Sequence, residues 1–231
     1  MKKAFYLPLL FIISIYSISF SQQATKITLD SEYLANKTVN LNKDPNNYTG
    51  SPYYNTQFST GHIYKNGRLI AANKKVRYNA YKDIFEIKND LNPKSNIVNT
   101  IARKSSISIK IGIQEYHFFR PSEKNNLYGY FIVLLKNDNL SVYKKIKKKY
   151  TPSQEATSSM DTNIAAFYKE YSILYIVNAN GYFIEVPKSK KAKIDLFENH
   201  KKEVKTFIKE NKIKLKKEKD FIKLVYYYNS L

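Results

Sequence analysis

The sequence predicts an α+β protein in which an antiparallel β-meander sheet is followed by two C-terminal amphipathic helices. Apolar and polar residues alternate through the middle of the chain, and two Asn-Gly sequences mark hairpin turns between such runs. Near the C-terminus the apolar spacing changes to every third or fourth residue, which is typical of helices. Many strands followed by helices favour α+β over α/β. A flat sheet and a strongly curved one both fit the pattern.

The first residues have the layout of a secretory signal peptide. Lys2 and Lys3 precede an apolar run over residues 7–18, and Ser19-Phe20-Ser21 supplies small residues at a cleavage site. This run is about a dozen residues long, whereas a membrane span needs roughly 20. We expect cleavage after Ser21, export, and no transmembrane span in the mature chain. The predicted organisation is a signal peptide (1–21), an irregular N-terminal segment (22–60) and a β-rich domain with C-terminal helices (61–231).

Within the irregular segment we expect a short strand near Lys26–Leu29, followed by an ordered loop. Gly50 and Pro52 belong to a turn sequence, because glycine permits positive φ and proline fixes its own φ. The neighbouring aromatic residues predict that the loop lies against the rest of the protein rather than free in solvent.

Two hairpins open the β-rich domain. Lys65-Asn66-Gly67 is expected to join Gly61–Tyr64 to Arg68–Ala72, because Asn-Gly tolerates two residues with positive φ. The next pair of strands is predicted at Lys75–Asn79 and Ile84–Lys88. In a register in which Arg77 faces Glu86, one face of the hairpin carries this pair of opposite charges and the other face carries apolar residues. The pairing is therefore favourable on both faces. Those apolar residues are Val76, Tyr78, Phe85 and Ile87.

The rest of the sheet is predicted from apolar runs. Isoleucines at 107, 109, 111 and 113 alternate with other residues over Ser106–Ile113, which favours a strand with one buried face. Tyr128–Leu135 is apolar on both faces, which favours a central strand. After a polar linker over Thr151–Asn163, an Asn-Gly turn predicts a further hairpin. The remaining predicted strands are Leu140–Tyr150, Ile173–Val177 and Tyr182–Val186.

Two helices are predicted, over residues 190–211 and 217–229. Ser189 is a candidate N-cap of the first helix, and Glu198 can pair with Lys202 one turn later. Their apolar faces need a surface to cover, and the sheet is the simplest one.

The charge balance is strongly basic. The chain has 39 Lys and Arg against 19 Asp and Glu, for a formal charge of +20. An anionic polymer is one class of partner that such a charge predicts. General surface charge is the alternative, because nearly all the basic residues are lysine, whereas arginine is the residue that reads phosphate geometry. The absence of cysteine excludes disulfides, thiol catalysis and cysteine-bound zinc.

The sequence contains no assembled catalytic or metal motif. His62, His117 and His200 lack the i+4 spacing of a helical metal site. Two carboxylate pairs, Asp83 with Glu86 and Asp30 with Glu32, are candidate paired acids. A cross-strand ion pair with Arg77 is the better explanation for Glu86. We therefore predict no catalytic, metal-binding or cofactor-binding residues. A hydrolase whose site combines His62, His117 and a carboxylate from distant segments is the enzymatic alternative.

Two lysine clusters are candidate polyanion contacts. The first lies on a predicted strand, where lysines at a sheet edge also serve to block unwanted strand pairing. The second lies on one face of the first C-terminal helix, where a solvated face is the alternative. The candidate residues are Lys144, Lys145, Lys147, Lys148, Lys149, Lys202, Lys205 and Lys209.

Several short motifs resemble an exported β-rich protein family of unknown function that is common in Bacteroidota. They are Gly50-Ser51-Pro52-Tyr53, Val76–Tyr81 with Ile84–Ile87, Pro187–Lys191, and Tyr227-Tyr228-Asn229. The resemblance implies export in a Gram-negative cell and implies no activity.

These observations predict an exported, non-catalytic envelope protein with a binding or structural role in the periplasm or at the outer surface. Two alternatives stay open. One is a basic protein that binds polysaccharide, lipid head groups or extracellular nucleic acid. The other is the hydrolase described above. The sequence identifies no specific partner, and an anionic component of the envelope is the class that the charge favours.

Overall fold

A computed structural model describes residues 30–41, 48–158 and 160–231. The signal peptide and the strand predicted near Lys26–Leu29 lie outside these residues. The strands are β1 (Leu34–Asn40), β2 (Tyr48–Thr49), β3 (Ser59–Lys65), β4 (Arg68–Asn79), β5 (Ile84–Ile87), β6 (Ile97–Ile101), β7 (Ile107–Ile111), β8 (Gln114–Phe119), β9 (Gly129–Leu135), β10 (Leu140–Thr151), β11 (Ala166–Asn178) and β12 (Phe183–Glu185). The helices are α1 (Asp30–Tyr33), α2 (Lys190–Asp195), α3 (Lys201–Glu210) and α4 (Glu218–Tyr228).

The strands form one sheet in the order β1-β6-β5-β4-β3-β7-β8-β9-β10-β11-β12, and β2 pairs separately with β11. The predicted α+β class is confirmed. The prediction of a purely antiparallel sheet is wrong, because Tyr48 and Thr49 run parallel to Ala166 and Phe167. β12 pairs only with Tyr175–Val177 of β11. The beginning of β11 is therefore free to pair with β2 along the same edge.

The sheet is strongly curled, so that one face closes around a core. β4 and β9 are four strands apart in the sheet, which in a flat sheet separates them by about 19 Å. The rings of Tyr78 on β4 and Tyr130 on β9 nevertheless lie 6.0 Å apart. Phe85 and Tyr116 join them in a fully buried aromatic cluster. The curled alternative is therefore the correct one.

A second core lies between the sheet and the C-terminal helices, as predicted. Leu140 and Val142 of β10 and Ile176 of β11 face buried residues of α3 and α4. The helical residues in this core include Val204, Ile208, Phe221, Leu224 and Val225. Their spacing of three and four places them on one side of each helix, which explains why these lysine-rich segments fold onto the sheet. A third, smaller cluster of Phe131, Tyr143 and Tyr175 lies on the opposite face of the sheet.

The predicted register of the second pair of strands is confirmed. Val76, Arg77, Tyr78 and Asn79 face Ile87, Glu86, Phe85 and Ile84. The hairpin at Asn66 and Gly67 is also confirmed, since both residues have positive φ, at 50° and 78°. The two strands predicted at 68–72 and 75–79 are one continuous strand, β4.

Three predicted elements differ from the structure. The strand predicted over Ser106–Ile113 ends at Ile111, because Gly112 (φ 57°) turns the chain back into β8 and leaves Ile113 98% exposed. The helix predicted over 190–211 is interrupted by a 3₁₀ turn at Glu198–His200, so that only α2 and α3 are α-helical. The segment predicted as irregular contains β1, which pairs with β6.

Ser189 caps α2 as predicted, since its Oγ accepts a hydrogen bond from the Ala192 amide at 3.2 Å. The Glu198–Lys202 pair stays a prediction, because the Glu198 side chain lies outside the described part of the structure. No helix among the described residues has the length and hydropathy that a membrane span requires.

Candidate functional site

The five strand lysines predicted as polyanion contacts all lie on β10, but their environments differ. Lys144 and Lys148 form ion pairs with Glu218 and Glu170, with Nζ–Oε2 distances of 2.8 and 2.7 Å. Lys145 is buried and pairs with an aspartate. Within the described residues, Lys147 and Lys149 form no ion pair. Three of the five candidates therefore have an internal electrostatic partner.

β10 lies between β9 and β11 in the sheet order, but its registered pairs with β9 end at Lys144, so protection of an open edge still fits the lysines beyond that residue. Registered pairs with β9 cover only Val142–Lys144, whereas pairs with β11 run along the whole strand. The lysine-rich half of β10 therefore continues beyond its pairing with β9 as a ribbon with β11.

One face of this ribbon carries four lysines, because the buried Lys145 shares it with Lys147, Lys149 and Lys169. Lys149 directly faces Lys169 of β11, and Lys147 faces Tyr171. Directly paired residues and residues two apart on a strand share a face, so all four side chains lie together. We name Lys147, Lys149 and Lys169 the lysine ladder. None of the three forms an ion pair with a described residue, and Lys149 and Lys169 are exposed.

The direct Lys149–Lys169 pair is an unusual feature, because like charges opposite each other on a sheet are destabilising. Their Cβ atoms are about 5 Å apart in such a pair. Lys169 was not among the predicted contacts, because the apolar pattern predicts a strand that begins only at Ile173, whereas β11 begins at Ala166. The charge repeat in Lys147-Lys148-Lys149 was visible, but the partner across the ribbon depends on a register set by tertiary contacts.

The other face of the ribbon is anchored by tyrosines. Tyr150 faces Tyr168 on β11, with ring centroids 5.0 Å apart. Tyr48 and Tyr81 pack against Tyr168 at 4.8 and 5.2 Å, so that β2 and the β4–β5 turn hold the ribbon from that side. The tyrosines therefore anchor the backbone of the ribbon that carries the lysine ladder.

Lys145 belongs to a buried network that fastens β10 to the β4–β5 turn. Its Nζ donates to Asp83 Oδ2 at 2.7 Å, and Asp83 Oδ1 accepts from the Tyr78 hydroxyl at 2.6 Å and from the Tyr130 amide at 3.2 Å. Burial lowers the pKa of Lys145, against the opposing effect of Asp83. Burial followed by the Asp83 charge raises the pKa of Tyr78. Lys145 is therefore unsuited to contact a polymer in solution.

The two candidate acids Asp83 and Glu86 are not paired with each other. Glu86 is fully buried and accepts from Arg77 Nη2 at 2.7 Å, as the predicted register requires. The Arg77 guanidinium also stacks on the Tyr53 ring, with its carbon 3.5 Å from the ring centroid. The Asp30 side chain of the other predicted pair lies outside the described structure. Asp83 and Glu86 thus each neutralise a different cation.

The histidines do not come together. His62 on β3 and His117 on β8 share a face of the sheet but are separated by β7, which places their strands about 10 Å apart. His117 Nε2 lies 2.6 Å from Glu115 Oε1 instead. His200 ends the 3₁₀ turn ahead of α3. Across the described ranges, no group of three or more His, Asp or Glu residues has a geometry that could hold a metal.

The helical candidates Lys202, Lys205 and Lys209 are exposed on α3 and form no ion pair with a described residue. Their positions follow a spacing of three and four, which places them on one side of the helix as predicted. Lys205 also lines a recess between α2 and α3 with lysines from both helices. The structure therefore contains two separate lysine surfaces, one on the ribbon and one on the helices.

Comparisons of the chain with protein-family profiles, with curated proteins and with solved structures found no match.

Proposed function

We propose that this chain is an exported, non-catalytic envelope protein that binds anionic polymers through the lysine ladder. The observation that carries the proposal is the direct Lys149–Lys169 pair, whose charges no described carboxylate neutralises. A bound polyanion would neutralise both lysines and remove the repulsion between them. The free energy that this repulsion costs the free protein would then favour formation of the complex. The formal charge of +20 favours association with such polymers at long range.

The chemistry of the ladder favours acidic polysaccharide as the polymer class. Lysines present hydrated point charges without the forked geometry that reads a phosphate, so they suit a flexible chain of repeated anionic groups. Tyr171 is exposed beside Lys147 and offers an aromatic ring to a sugar or a base. Extracellular nucleic acid is the competing polymer, and binding of an oligonucleotide more tightly than a sulfated polysaccharide would favour it.

Export is supported by the signal-peptide layout of residues 1–21 and by the resemblance to an exported family of Bacteroidota. We propose a location in the periplasm or at the outer surface of a Gram-negative cell. Fractionation of cells that carry a C-terminally tagged copy tests this part. A processed product in the periplasm or outer fraction is expected, and an unprocessed product in the cytoplasm would contradict it.

Polymer binding is tested by affinity for heparin and for oligothymidylate at several salt concentrations. Each single-strand phosphate that the protein neutralises contributes about −0.7 to the slope of log K against log salt, so loss of three lysines should reduce the slope by about two. The test variant is Lys147→Gln/Lys149→Gln/Lys169→Gln. The matched control is Lys37→Gln/Lys94→Gln/Lys136→Gln, which removes three exposed lysines from other segments. An equal loss of affinity in both variants would mean that only net charge matters.

A further inference from the structure

A surface recess of about 440 Å³ lies between α2 and α3, away from the ribbon. Its volume falls in the range of small-molecule sites, which is roughly 300–1,000 Å³. Ile194 and the aliphatic parts of lysine side chains provide apolar surface in it. The lining residues are Lys190, Lys191, Ile194, Asp195, Lys201 and Lys205.

The recess has an excess of positive charge. Among the described residues, Asp195 is the only carboxylate that lines the recess, and this carboxylate pairs with Lys201. The hydrogen bond from Lys201 holds the pKa of Asp195 below its usual range, and the charges of Lys191 and Lys205 act in the same direction. These four lysines and one aspartate give a net charge of +3 among the described residues that line the recess. Lys190, Lys191 and Lys205 form no ion pair with any residue in the described ranges.

We propose that this recess binds a ligand that carries two phosphate groups, as a diphosphate or as two phosphates on one small head group. A phosphate monoester carries roughly −1.5 to −2 charges at pH 7, so two of them balance the excess at the recess, and one does not. Lysine is a common phosphate ligand that acts as a point charge. The apolar surface around Ile194 would contact the part of the ligand that bears the phosphates.

This site is independent of the lysine ladder. It lies on different secondary-structure elements, and it recognises a compact anion rather than a polymer. The diphosphate could belong to a soluble molecule or to a lipid head group, and the two sources offer the same chemistry to the lysines. The test therefore uses inorganic pyrophosphate for the shared chemistry and vesicles for the lipid source.

Titration calorimetry of the purified chain with pyrophosphate and with orthophosphate is the first measurement. We expect saturable one-to-one binding of pyrophosphate and at least about tenfold weaker binding of orthophosphate, which corresponds to ~1.4 kcal/mol. The variant Lys190→Gln/Lys191→Gln/Lys205→Gln should weaken pyrophosphate binding about tenfold or more. Asp195→Asn should strengthen it, because it removes the negative charge of Asp195 from the recess and releases Lys201.

Lys202→Gln/Lys209→Gln is the matched control, because both lysines are exposed on α3 but do not line the recess. It should change the affinity less than twofold, and the ladder variant should also retain pyrophosphate binding. Absence of saturable binding would overturn the proposal, and so would an equal loss in the control. A failure of polymer binding in the ladder experiments would leave this result unaffected, so the two proposals can fail separately.

Vesicles of phosphatidylcholine with and without diacylglycerol pyrophosphate, a lipid whose head group is a diphosphate, identify the source of the phosphate. Binding only to the acidic vesicles, with competition by pyrophosphate, supports the site and assigns it to a lipid head group. Binding of pyrophosphate without vesicle binding supports the site and assigns it to a soluble ligand. Vesicle binding that pyrophosphate and the recess variant both leave unchanged would contradict a compact site.

Discussion

Lys145 on β10 donates to Asp83 in the β4–β5 turn at 2.7 Å, and the absence of a side chain at Gly129 leaves the space in which they meet. A Cβ atom at Gly129 would lie 1.7 Å from Asp83 Oδ2 and 2.2 Å from Lys145 Nζ. This contact joins strands that are distant in sequence and fastens the curled sheet at the base of the lysine-bearing ribbon.

Gly129→Ala should destabilise the fold by more than about 2 kcal/mol, because it displaces a buried ion pair and forces a residue with a side chain to φ +112°. The measurement is urea unfolding followed by circular dichroism. Gly67→Ala is the matched control, since Gly67 also has positive φ (78°) but a Cβ there meets nothing within 4 Å. Equal costs for the two variants would show that the space at Gly129 is unimportant.

Asp83→Asn should cost about 3–5 kcal/mol, because it leaves the Lys145 ammonium buried without a counter-charge. The double variant Asp83→Asn/Lys145→Met should recover part of this loss, since it removes the uncompensated charge as well. A double-mutant cycle from urea unfolding measures the coupling. Simple additivity of the two single changes would contradict the account of this pair.

Stability should fall as pH rises above 10, because burial raises the pKa of Tyr130 above the ordinary tyrosine value. The unfolded chain then loses the phenolic proton first, and each such group contributes about 1.4 kcal/mol per pH unit between its unfolded and folded pKa. Tyr130→Phe should remove the contribution of one proton, about 1.4 kcal/mol per pH unit, from the pH dependence of the free energy of unfolding. Urea unfolding at several pH values measures this change. Tyr226→Phe is the control, because Tyr226 is 69% exposed. A slope unchanged by Tyr130→Phe would refute this explanation.

The alternating isoleucines contribute unequally to stability, because Ile109 is buried and Ile113 is exposed. Ile109→Ala should cost about 2–5 kcal/mol, because Ile109 is fully buried. Ile113→Asn should change stability by less than roughly 0.5 kcal/mol, because that side chain lies in solvent at the turn. Thermal and urea unfolding of the two variants checks this difference. A large loss for Ile113→Asn would imply a contact that the fold does not provide.

The local sequence pattern was sufficient to predict the strand register where the residues on both faces of a strand constrained it. Arg77 opposite Glu86 is an example, since a shift of one residue would have placed a charge in the aromatic core. Pattern was insufficient where a turn or a distant partner decides the structure. Alternation continues to Ile113, but Gly112 ends the strand, and nothing near Lys145 in the sequence identifies Asp83 as its partner.

The candidate site likewise has some features that the sequence predicted and others that only the fold shows. The lysines of β10 were visible in the sequence, but only the fold distinguishes the buried Lys145 from Lys147 and Lys149, which form no ion pair with a described residue. Lys169 depends on a strand register across a connection of 14 residues, between Thr151 and Ala166, that carries no regular pattern. The recess between α2 and α3 depends on the 3₁₀ turn at Glu198–His200, which the continuous helical spacing conceals.

The most direct test of the lysine ladder is the single variant Lys149→Glu, studied for both stability and heparin affinity. The ladder account predicts that Lys149→Glu raises the melting temperature, because it replaces a repulsive cross-strand pair with an attractive one opposite Lys169, and that it weakens heparin binding about tenfold or more. Lys94→Glu makes the same charge change at an exposed site elsewhere and should reduce affinity far less. Heparin affinity that falls equally in the two variants, or that survives Lys149→Glu, would contradict the account.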